Sequence, residues 1–97
     1  MTGTKTTHFS EEQVQATLER IGSEYVRSRQ YEQAAEACET LADEYPQSKW
    51  LGNVLLLAAV CYRQLQQPEN EMRTLERFVS ECPQHPEVPA AQRALEA

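Results

Sequence analysis

Residues 18–25, LERIGSEY, return in altered form as residues 55–62, LLLAAVCY. Leu18 falls on Leu55, Ile21 on Ala58, Gly22 on Ala59 and Tyr25 on Tyr62. The same 37-residue offset, carried outward, sets Val14 on Leu51, Gln30 on Gln67, Cys38 on Leu75, Leu41 on Phe78, Ala42 on Val79 and Pro46 on Pro83. A period of this size marks one supersecondary unit copied and stacked, because a single unit cannot bury its own apolar face. Stacked arrays offer an extended concave surface and rarely a catalytic pocket.

The segments around the repeat read as helices. Ser10 followed by Gln13 fits a capping box, with Glu11 and Glu12 in a first turn that favours negative charge. Val14, Leu18, Ile21 and Tyr25 recur at helical spacing, which predicts helix 1 over about 10–28. A turn at 28–30 leads to helix 2, about 31–45, with Ala34, Ala35, Cys38, Leu41 and Ala42 on one face. On its other side Glu32, Glu36, Glu39 and Asp43 form an acidic stripe that reads as a solvated face. Pro46 ends that helix. Helix 3, about 47–66, is apolar nearly all round, which calls for cover on every side. Pro68 suits the first turn of helix 4, about 68–82, and Pro83 stops it. A short helix 5 at about 87–96 closes the array.

The expected architecture is therefore all-α, with five helices as stacked antiparallel hairpins forced together by short turns. Residues 1–9 form a tail, and 10–97 form one helical domain. Its first repeat spans about 10–46, its second about 47–83, and a capping helix about 87–96.

Composition narrows the function. Forty per cent apolar and 25% charged residues are ordinary for a soluble globular chain. A net charge of −6 repels a phosphate backbone, so nucleic acid is not an expected partner. No apolar run is long enough to span a membrane; the stretch 51–62 is broken by Gly52 and Asn53. Three cysteines without a signal-peptide pattern suggest reduced thiols and a cytoplasmic place. A periplasmic place follows instead if the chain is a piece of a longer exported protein.

The pattern Leu18-x2-Ile21-Gly22-x2-Tyr25, Tyr31-x2-Ala34-x3-Cys38, then Pro46, resembles the tetratricopeptide repeat. The second copy, Leu55-x2-Ala58-Ala59-x2-Tyr62, then Glu71-x3-Leu75 and Pro83, is degenerate, with Glu71 where the small crossing residue belongs. That resemblance implies a right-handed superhelix of about two and a half repeats, with Gly22 and Ala34 small because two helices cross there. The Tyr45-Pro46-x-Ser48 ending and the extra turn before helix 3 are similar to the longer repeats of bacterial envelope proteins, the outer-membrane assembly lipoprotein and Tol-Pal-associated groups. Members of those groups carry an export signal, which is not seen here.

In this repeat class the first helix of each hairpin lines a concave groove. The resemblance assigns Ala16, Glu19, Ser23, Val26 and Arg27 from helix 1, and Asn53, Leu56, Val60, Arg63 and Gln64 from helix 3. It implies a non-catalytic module that binds a segment of a partner protein in the groove of helices 1, 3 and 5, with Arg27 and Arg63 available to a carboxylate or a carbonyl. Glu19 and Leu56 stand where chaperone-binding members clamp a C-terminal carboxylate with Lys and Asn, so that activity is not expected. Leu56, Leu57 and Val60 lie on a side of helix 3 that nothing need cover, and Trp50 is a candidate interface anchor. A self-assembling unit, a homodimer through helix 3, is the alternative. Cys82-x2-His85 has half the spacing of a zinc site, but Cys38 and Cys61 sit at seam positions and read as small buried thiols. His8, His85, Ser23 and Ser80 lack the neighbours that catalysis needs. Neither an enzyme nor a cofactor is expected.

Overall fold

The computed structural model describes residues 10–97, so the expected tail at 1–9 lies outside the described residues. Helix α1 spans Glu11–Arg20, α2 Tyr31–Glu44, α3 Leu51–Gln64, α4 Pro68–Glu81 and α5 Val88–Glu96. No strand occurs among the described residues. The molecule measures 48 × 30 × 20 Å, so it is about two helix diameters thick at its thinnest.

Ser10 caps α1 by accepting the Gln13 N–H at 3.3 Å. Beyond Arg20 the expected helix over 10–28 changes character: Ile21–Val26 is a π-helical turn, and the Arg27 N–H reaches back five residues to the Gly22 carbonyl at 3.1 Å. Two serine hydroxyls bond back to the backbone around it. The Ser23 and Ser28 hydroxyls donate to the carbonyls of Arg20 (3.3 Å) and Glu24 (2.7 Å), acceptors that a regular ladder reserves for N–H groups. A Cβ built on Gly22 meets nothing within 4 Å, so this glycine does not mark the helix crossing that the repeat pattern implied. Ala34 is fully buried.

The turn after each first helix has the same construction. Arg29 (φ 63°) and Gln66 (φ 58°) are left-handed without being glycine. Gln30 N–H bonds Tyr25 O at 2.7 Å, and Gln67 N–H bonds Tyr62 O at 3.0 Å. Arg29 N–H bonds Val26 O, and Gln66 N–H bonds Arg63 O, each at 3.0 Å, completing two Schellman turns at the 37-residue offset. The turns between repeats match as well. Ser48 N–H reaches Tyr45 O and His85 N–H reaches Cys82 O, and both are followed by caps, Trp50 and Glu87, near φ −90° and ψ 0°. This is why α3 begins at Leu51 and not near 47. The Ser48 Oγ takes the Trp50 N–H at 3.0 Å and holds the chain in a turn.

Helices α2, α3 and α4 form the packed centre, α3 lying against α2 on one side and α4 on the other. Helix α3 buries Leu51, Val54, Leu55, Ala58, Ala59, Cys61 and Tyr62, as its all-round apolarity requires. The suspected bare strip on it is mostly covered: Leu56 and Leu57 pack partly on the core, and only Val60 stands out, at 49% exposure. Trp50 also packs partly on the core, with the Lys49 ammonium 5.7 Å from its ring. The acidic stripe of α2 is not simply solvated. Glu39 accepts from the Tyr62 hydroxyl and lies 3.6 Å from Arg73, and Asp43 pairs with Arg77 at 3.0 Å.

Candidate functional site

Helices α3, α4 and α5 enclose a groove of about 320 Å³. Its floor is Leu56, Ala59, Leu75 and Ala91, and its walls are Val60, Ala90 and Ala94. Arg63, Glu71 and Glu87 edge it. Small residues on α5 create the space, because alanines at 90, 91 and 94 leave the two helices without side chains to interlock. Glu71, which replaces the small crossing residue, does not splay the second hairpin; α4 packs on α3, and Glu71 reaches the groove edge. Arg63 has no ion-pair partner within 4 Å among the described residues, so its guanidinium is available to a ligand.

The structure gathers Leu56, Val60 and Arg63 into this groove and leaves the other sequence-assigned residues elsewhere. Glu19 accepts from the Gln15 amide at 3.3 Å, Ser23 bonds the Arg20 carbonyl, and Val26 and Arg27 belong to the π turn and its cap. Asn53 faces the opposite end of α3, with its Oδ1 3.4 Å from His85 Nε2. Glu71, Glu87, Ala90 and Ala94 escaped the sequence reading. A second application of the 37-residue offset to the assigned residues reaches one of this set, carrying Asn53 to Ala90.

His85 locks the base of α5. Its Nδ1 accepts the Glu87 N–H at 3.0 Å, and its ring meets Phe78 edge-on at 5.0 Å. Gly52 makes room for it: a Cβ there would lie 2.5 Å from His85 Cδ2. With both nitrogens engaged, His85 is not free to join Cys82 in a metal site, and burial pushes the Cys82 thiol above its ordinary value. Among the described residues no group of three His, Cys, Asp or Glu side chains is placed to hold a metal ion. In the preceding repeat Ser48 has the equivalent role. It accepts the Trp50 N–H and donates to Glu11 at 2.6 Å, while the Lys49 N–H donates to the other Glu11 oxygen at 3.0 Å. The Ser48 bond first, then that of Lys49, holds the Glu11 carboxyl below its ordinary value.

Burial raises the Cys38 thiol to about 12 and the Cys61 thiol in the same direction. Such thiols are inert whatever the redox state outside, so Cys38 and Cys61 carry no information about compartment. The cytoplasmic placement expected from them is accordingly corrected by comparison with known proteins. A family model described as YfiO, outer membrane lipoprotein, matches residues 11–92 and points to the periplasm or envelope. No helix of the described residues is long and apolar enough to cross a membrane. No curated protein and no solved structure matches the chain. The family match runs from the first residue of α1 into α5 and takes in both hairpins; the chain belongs to the outer membrane lipoprotein family YfiO.

Proposed function

We propose that this chain is a non-catalytic protein-interaction module of the bacterial envelope, which takes a segment of a partner protein into the groove between α3 and α5. The observation that carries the reading is the groove itself: an apolar floor, Val60 half exposed above it, and Arg63, Glu71 and Glu87 at its edges. A few polar groups around an apolar floor suit a ligand that is fixed in direction by charge and held by burial. The family's description as outer membrane lipoproteins supports work at the envelope.

Ala94 and Val60 are both exposed, so changing them should spare the core. Val60→Glu combined with Ala94→Glu should leave the far-ultraviolet dichroism unchanged and lower partner capture from an envelope extract at least about tenfold, since it places charge at the centre of an apolar contact. Undiminished capture by the double variant would sink the assignment.

Self-association through α3 draws less support. Val60 and Met72 are the exposed large apolar residues among those described, too few for the roughly 800 Å² per partner of a stable interface. Light scattering should give a monomer at every concentration.

A further inference from the structure

The 37-residue offset gives the second hairpin an occupied flank and the first, among the described residues, an open one. On the second, α2 lies against α3 and reaches α4 through side chains: Tyr62 donates to Glu39, and Arg73 and Arg77 of α4 pair with Glu39 and Asp43 of α2. Shifted back by one repeat, Tyr62 becomes Tyr25, Arg73 becomes Glu36, Thr74 becomes Ala37, Arg77 becomes Thr40 and Phe78 becomes Leu41. Those first-hairpin residues line a cavity of about 460 Å³. Burial differs accordingly among the described residues: Tyr62 and Thr74 are buried, whereas Tyr25 and Ala37 are only partly so.

We propose that this open flank seats a basic amphipathic helix of another polypeptide, in the place that α2 takes on the second hairpin. Charge fixes the chemistry of the occupant. The filled flank presents two arginines and holds a helix with acids four residues apart. The open flank presents Glu36 and Glu44, and no ion pair engages either among the described residues. It therefore selects a cation opposite Glu36, at the position where α2 carries Glu39, and a second one turn on, where Asp43 stands in α2 and where Glu44, the counterpart of Glu81 beside Arg77, borders the flank. A second copy of the chain does not supply such a helix. Its one pair of cations four apart on a described helix is Arg73 and Arg77, and α2 already engages both. This flank is separate from the α3–α5 groove, and neither assignment rests on the other.

The test uses a probe taken from the protein itself. A synthetic peptide of residues 31–45 carrying Glu39→Lys and Asp43→Lys is titrated into the isotope-labelled full chain, beside the unaltered peptide. The basic peptide should shift the backbone amide signals of Thr17, Tyr25, Ala37, Thr40 and Leu41, and bind at least about fivefold tighter than its acidic parent. Glu36→Lys in the chain, an exposed change that leaves the fold alone, should abolish or invert that preference. Equal binding of the two peptides would overturn the proposal, as would shifts confined to Val60, Ala90 and Ala94. So would signals of the flank that move with chain concentration alone, because a second copy would then be the occupant.

Discussion

The two hairpins share their joints and differ in how they close. The second closes along its length, α3 and α4 packing together from end to end of their contact, with Phe78 fully buried between them. The first closes near its turn: α2 packs on the π-helical Ile21–Val26, and α1 proper approaches it less closely. Turn geometry is thus copied faithfully between repeats while the helix bodies drift. The joint sets the direction of the chain, and the side chains of each copy then decide how far the hairpin shuts.

The sharpest way to break this comparison is to empty the matching core position in each hairpin. Phe78→Ala should cost about 3–5 kcal/mol and Leu41→Ala about 2–3 kcal/mol, read by urea denaturation. Equal costs would mean that the two hairpins close alike. A second contrast uses the glycines. Gly52→Ala should lose about 1–3 kcal/mol by driving a methyl group into His85 and Phe78, whereas Gly22→Ala, with open space around it, should gain about 0.5–1 kcal/mol. His85→Ala introduced with Gly52→Ala should recover some of the loss, since the clash has then been removed; strict additivity in that cycle would place the strain elsewhere.

The smallest effect concerns the first joint. The Glu11 carboxyl titrates below its ordinary value in the folded chain. Its contribution is therefore present above the unfolded carboxylate value near 4.5 and is lost as the pH falls through the lower, folded value. Glu11→Gln should differ from the parent in stability at neutral pH and converge with it on acidification. A gap that persists unchanged at low pH would show that the Ser48 and Lys49 bonds do not depend on the charge.

The helices were legible because proline and periodicity agree: Pro46, Pro68 and Pro83 fall at their ends, and the apolar positions between them keep one register. What escaped were features made by side chains acting on the backbone. Nothing in the spacing of Ile21 to Val26 announces a π turn, because the apolar residues still suit a helix. Gly22 matched the repeat signature and looked like the point of close approach, yet the tight contact belongs to Gly52, opposite a histidine 33 residues later in the chain. The groove was half readable. Leu56, Val60 and Arg63 follow from the repeat pattern, but the wall from α5 is built of alanines, which carry no signal except the space they leave. The assignments on α1 did not join that groove because the groove opens beside α5, beyond α3 from the first hairpin.

Ser48 and His85 are chemically unlike, yet each takes an N–H two residues ahead and reaches back to an earlier helix. A protein whose couplings tolerate such different pieces is open to lengthening. Splicing a duplicate of residues 48–84 in ahead of His85 would add one more hairpin through junctions that already exist, and growth by whole units of this kind requires no new turn to be invented.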